Sequence, residues 1–148
     1  MDTALRQTAI AVVGDMPWGT HLCHFYETPQ DLLDTVVPYV KAGLEHHECC
    51  LWVLSEPLTE QDARSALRRV VPDLDHYLAE RRLELLAGDE WYLTDGAVDL
   101  QRLMQVFDEK LAEALARGYD GMRMTGDAAW LEDKHWTDFF CRFAQIWR

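Results

Sequence analysis

Apolar positions along the chain switch between two periods. Cys49–Leu54 reads Cys-Cys-Leu-Trp-Val-Leu without interruption, which suits a strand buried on both faces of a parallel sheet. Leu83–Ala87 and residues 121–125 read as two further strands. Residues 20–26, ending in Cys23-His24-Phe25-Tyr26, read as the first strand of the series and as buried. Between the strands the period changes to that of a helix. Leu32, Leu33, Val36, Val37 and Val40 share one helical face. Thr28 is the expected N-cap, Pro29 the first helical residue and Asp31 the capping-box partner. Pro38 is expected to kink this helix by crowding Asp34, and Gly43 to lie near its end. Thr59 and Asp62 repeat the capping pattern for a second helix, which stops before Pro72. A short helix is expected at residues 73–82. A long one at 99–116 carries Leu100, Leu103, Met104, Phe107, Leu111 and Leu115 on one face, with Gly118 just past its end. An aromatic helix is expected at 135–147. Residues 9–13 fit a short strand or a helix, and 15–19 are turn-rich.

Strands alternating with helices predict an α/β fold: three layers around a mostly parallel sheet, joined by right-handed crossovers. The 148 residues suffice for one core, taken as residues 19–148 behind an extension of 1–18. Hydrophobic residues make up 49% and charged residues 27%, a globular balance. The apolar runs are too short for a membrane span and no signal peptide opens the chain, so a cytoplasmic protein is expected. A formal net charge of -12 argues against direct nucleic-acid binding and against docking on anionic membranes. It favours small or basic partners. Cys23, Cys49, Cys50 and Cys141 form no C-x-x-C pair and are expected to be reduced thiols.

Candidate chemistry gathers where strands end. The turn Glu27-Thr28-Pro29-Gln30-Asp31 stands where an α/β protein places a phosphate loop, yet it holds neither glycine nor lysine. ATP binding is therefore expected to be absent. In a parallel sheet the carboxyl ends of the strands share one rim. Tyr26, Glu56, the run Asp89, Glu90, Trp91 and Tyr92, and the pair Thr125 and Asp127 would meet there, offering a small polar or amphiphilic ligand carboxylates, hydroxyls and rings. Caps and turns also use such residues. His21 and Cys23, two apart on a strand, would share a face and could begin a zinc or copper site, completed by Cys49, Cys50, His46 or His47. The other reading makes Cys23 a small buried hydrophobe and bonds His21 to a carbonyl. No nucleophile with an adjacent base is visible. Binding rather than catalysis is expected, with no cofactor.

Six ordered blocks carry a resemblance. They are His21-x-Cys23-x-Phe25-Tyr26; Val37-Pro38-Tyr39-x-Lys41-Ala42-Gly43-Leu44-Glu45; Leu51-Trp52-Val53-x-Ser55-Glu56-Pro57-Leu58; Asp89-Glu90-Trp91-Tyr92; Ala116-Arg117-Gly118-Tyr119-Asp120-Gly121; and Thr125-Gly126-Asp127-x-x-Trp130-Leu131. Together they resemble the MEDS family, the methanogen/methylotroph sensory domain. The resemblance implies a sensory domain of prokaryotic signal transduction for small hydrocarbon derivatives. It also implies a RecA/KaiC-like core that has lost its P-loop. His21, Cys23 and Tyr26 carry over as ligand-contacting candidates, with 89–92 and 125–127 behind them. Relatives are fused to kinase, anti-sigma or DNA-binding regulator modules. Here the signal is expected to pass through a protein partner or a homodimer face, with regulation of transcription as one output. The family's C-terminal strand is expected to be missing. The alternatives are a ligand-free adaptor docking through the aromatic helix, or a metal or redox sensor using His21 and Cys23.

Overall fold

The computed structural model describes residues 4–127. The expected aromatic helix at 135–147 and Cys141 lie outside the described residues. The chain opens with a hairpin of β1 (Leu5–Gln7) and β2 (Asp15–Pro17), paired antiparallel. Then come α1 (Pro29–Glu45), β3 (Cys49–Leu54), α2 (Glu60–Arg68), α3 (Leu74–Ala79) and β4 (Leu83–Ala87). The short helix α4 (Gly88–Tyr92) and the two-residue strands β5 (Leu93–Thr94) and β6 (Ala97–Val98) lead to α5 (Leu100–Ala116) and β7 (Met122–Gly126). β3, β4 and β7 form a parallel sheet in the order β4-β3-β7.

Local chemistry sets the helix starts. Thr28 Oγ1 accepts the Asp31 N–H at 3.2 Å while Asp31 Oδ2 accepts the Thr28 N–H at 2.8 Å. Thr59 and Asp62 repeat this box at α2. Each satisfies two amides that the first helical turn leaves open. Pro38 sits inside α1, which continues through it to Glu45.

The period-two rule of strands divides the core. Cys50, Trp52 and Leu54 point to one face, into a cluster with Val36, Val40, Leu67 and Leu74 from α1, α2 and α3. Leu51 and Val53 point to the other, against Leu103 and Phe107 of α5 and Tyr92 of α4. Every residue of β3 is buried, as a central strand between two helical layers must be. The result is a mixed α/β fold with helices on both sheet faces.

Two expectations fail near the N-terminus. Residues 20–26 are neither a strand nor buried: they form an irregular, largely exposed segment, with Phe25 89% accessible. Among the described residues no main-chain hydrogen bond joins them to the sheet. Residues 9–13 form no strand or helix but the loop of the β1–β2 hairpin, closed by Gly14 N–H to Ile10 O at 3.0 Å. The strands themselves are only three residues long and carry no apolar alternation.

Candidate functional site

A cavity of about 500 Å³ runs along β7, between α1 and the segment of residues 18–26. Its walls come from four sources. Leu32, Thr35, Val36 and Tyr39 of α1 face it; their spacing of three and four residues puts them on one helical stripe. β7 contributes Arg123, Met124 and Thr125, and the hairpin contributes Arg6, Thr8 and Met16. Residues 18–26 form the outer wall.

One end of the cavity is a charge network centred on a buried pair. Arg123 and Glu48 are 5% and 0% exposed. Arg123 Nε donates to Glu48 Oε2 at 2.8 Å and Nη2 to Oε1 at 3.1 Å, a bidentate pair. The same guanidinium donates to the carbonyls of Tyr39 at 2.8 Å and Gln7 at 2.9 Å, and lies 4.7 Å from the Tyr39 ring centre. Arg6 reaches Glu48 Oε1 at 2.9 Å and Asp120 Oδ2 at 3.2 Å. Two arginines and two carboxylates thus cancel in charge. This is the condition under which buried ions are tolerated. Trp18 lies under Arg6, 5.0 Å from guanidinium to ring centre. It packs on Gly121, where a Cβ would stand 2.6 Å from the indole. Only glycine lets the ring come that close.

The other end is made of hydroxyls and one carboxylate. The Tyr26 hydroxyl donates to Asp127 Oδ2. Desolvation, aided by the hydrogen bond and charge of Asp127, pushes the Tyr26 phenol up to about 12. Tyr92 is buried, and desolvation followed by the Asp127 charge raises its phenol too. Its hydroxyl occupies the space that any side chain at position 126 would need, so Gly126 lets α4 reach this end. His24 Nε2 lies 3.3 Å from Thr35 Oγ1. Partial burial lowers the His21 imidazole, which favours its neutral form. Tyr39, on the wall between the two ends, donates weakly to Met124 O at 3.4 Å and is pushed up to about 12 by burial.

Six of the ten residues expected to share a site do line this cavity: His21, Cys23, Tyr26, Tyr92, Thr125 and Asp127. Glu56, Asp89, Glu90 and Trp91 lie away from it. Glu56 stands on an exposed turn after β3. Asp89 and Glu90 are exposed in the first turn of α4. Trp91 turns into the opposite layer, its ring centre 5.7 Å from that of Phe107. For Asp89 and Glu90 strand order contributes: β4 is the far edge of the sheet, so its carboxyl end stands two strand spacings, about 10 Å, from β7. Within this run Tyr92 lines the cavity while Asp89, Glu90 and Trp91 do not. Glu56 follows β3, the neighbour of β7, but its turn faces solvent.

The charged end was missed, although the sequence carries a signal for it. Arg123 interrupts an otherwise apolar strand, and Glu48 directly precedes a wholly buried one. Among the described residues, no three His, Cys, Asp or Glu side chains converge to hold a metal. Cys23 is exposed, while burial raises the thiols of Cys49 and Cys50, the latter to about 12. No helix among the described residues is long and apolar enough to cross a membrane.

Fold and cavity define a class: an α/β domain with a half-enclosed, mostly apolar chamber beside its sheet. The family is more specific. Residues 20–144 match the model of MEDS, the MEthanogen/methylotroph, DcmR Sensory domain, and the chain belongs to that family. No curated protein and no solved structure matches it.

Proposed function

We propose that this chain is a ligand-sensing unit of a signalling system, and that the chamber beside β7 is where the ligand binds. The family supports a sensory role. The observation that carries the binding site is the chamber itself. At about 500 Å³ it falls within the range of small-molecule pockets. Its lining includes the apolar Leu32, Val36 and Met124 together with polar groups, among them the Arg123–Glu48 pair and the Tyr26–Asp127 pair. That pattern fits a small, mainly apolar molecule with one polar group directed at Tyr26 and Asp127.

The reading is binding without turnover. A phenol held at about 12 is a poor proton carrier at neutral pH, and the raised Cys49 and Cys50 thiols are poor nucleophiles. We place the domain in the cytoplasm, in keeping with the unpaired thiols of Cys23, Cys49 and Cys50. Its signal passes through a homodimer or a kinase, anti-sigma or transcription-regulator partner. Such a signal requires the ligand to favour one of two states.

Thermal stabilisation by a panel of C1 compounds, short alcohols and organic acids tests the reading, since a ligand that prefers the native state raises its apparent stability. Thr35→Trp would fill part of the chamber from its α1 wall. A compound that stabilises the wild type is expected to leave this variant's melting temperature unchanged. Equal stabilisation of both proteins would remove the chamber from the site.

A further inference from the structure

The outer wall of the chamber has the sequence of a strand and the length of its neighbour. Residues 20–26 and residues 121–127 each span six steps, about 20 Å when extended. They run in the same direction and are tied together at both ends. At the first, Pro17 O accepts the Thr20 N–H at 3.3 Å across a turn with Gly19 at φ +81°, and Trp18 in that turn packs on Gly121. At the second, Tyr26 donates to Asp127. Between these ties, no main-chain bond joins the two segments among the described residues, and the chamber lies there instead. Within the same set β7 pairs on one edge only, with β3. Leu22 and Phe25 stand 41% and 89% exposed. A sheet edge with one free side, facing an apolar segment of equal length and direction, is a template for strand addition.

We propose that residues 20–26 are a strand in waiting that competes with the ligand. In one state the segment stands off and the chamber is open. In the other it lies along β7 as a fourth parallel strand and the chamber is gone. The ligand binds only the open state, so its affinity reports the balance between the two. This deepens the ligand-site reading and rests on it. It also names the moving part: occupancy decides whether residues 20–26 belong to the sheet or to the surface.

In the paired state residue 20 stands opposite 121 and residue 26 opposite 127, which puts Cys23 opposite Met124. Neighbouring strands are about 4.8 Å apart, within reach of a disulfide, and adjacent residues point to opposite faces. The full chain is therefore prepared with Met124→Cys and, separately, Thr125→Cys, and oxidised with diamide. Met124→Cys is expected to cross-link to Cys23 and Thr125→Cys not, as read by peptide mass mapping. The cross-linked form should bind the apolar-surface probe 8-anilinonaphthalene-1-sulfonate at least about tenfold more weakly, because locking the closed state lowers the competent fraction in proportion. Reduction should restore binding. Both variants cross-linking equally, or neither, would overturn the proposal, since a loose loop has no parity and a fixed open wall makes no contact.

Amide exchange in the wild type gives a second readout, should either variant fail to fold. Protection at residues 21–25 is expected without the probe and is expected to fall when the probe is added. Exchange at free-peptide rates without the probe would overturn the strand assignment. Failure of the probe to bind wild-type protein would count against the chamber as a ligand site, and the cross-link result would still decide the strand.

Discussion

The two ends of the β7 chamber are built from opposite chemistry. At the amino end of β7, Arg123 and Glu48 are buried, bidentate and braced by Arg6 and Asp120. The Arg123 guanidinium also holds two carbonyls from different parts of the chain. At the carboxyl end, the Tyr26 phenol, on a largely exposed segment, donates to Asp127, whose charge also acts on the buried Tyr92 phenol. The first end is a clamp, because opening it strands a charge in the interior. The second is a latch, because opening it exchanges one hydrogen bond for bonds to water. A segment whose Trp18 end packs on Gly121 and Arg6 and whose Tyr26 end is held through Asp127 is expected to open first at its Tyr26 end.

Breaking the clamp should have the largest effect. Arg123→Ala leaves Glu48 buried against Arg6 alone and should cost about 3–5 kcal/mol in denaturant unfolding. A double replacement, Arg123→Met with Glu48→Leu, should cost less than the single change, because no buried charge is left behind in that pair. Equal losses would mean that Arg123 acts through packing alone.

The latch should respond more weakly. Tyr26→Phe should cost about 1 kcal/mol, the worth of one partly solvated hydrogen bond. Its effect on pH dependence belongs with that of Tyr39. Both phenols rise from 10.0 unfolded to about 12 folded. A group whose pKa is raised by folding contributes stability that is complete below the unfolded value and lost as pH rises through the folded one. Unfolding should therefore become easier between pH 10 and about 12. Tyr39→Phe should flatten this alkaline decline more than Tyr26→Phe does, because Tyr39 is the more enclosed. It should change stability at neutral pH by less than about 1 kcal/mol, since its bond to Met124 O is long. An unchanged alkaline arm in Tyr39→Phe would remove that phenol as its source.

The parts of this molecule that are legible in sequence are those decided locally. Thr28 with Asp31, and Thr59 with Asp62, announce helix starts because a capping box is complete within four residues. Cys49–Leu54 and Leu83–Ala87 are strands with the expected bounds, since continuous burial leaves few other options. Residues 20–26 have equally good strand character. Whether they pair depends on β7, a hundred residues later in the chain, and no local pattern encodes that. The site divides in the same way. The strand ends were legible, but neither the strand order nor the way each turn leaves its strand was. Tyr26, Tyr92 and Asp127 converge, while Glu56, Asp89, Glu90 and Trp91 lie elsewhere. The clamp is only half legible for a related reason: the positions of Glu48 and Arg123 hint at burial, but Arg6, Glu48 and Arg123 are far apart in sequence and no local pattern pairs them.

The central claim is that a small molecule occupies the chamber between α1, β7 and residues 18–26. Backbone amide chemical shifts, followed while the strongest stabiliser from the compound panel is titrated in, test it most directly. Shifts concentrated in residues 18–26, 32–39 and 122–127 are the predicted result. Shifts concentrated on α2, α3 or the outer face of α5, with residues 18–26 unmoved, would contradict it.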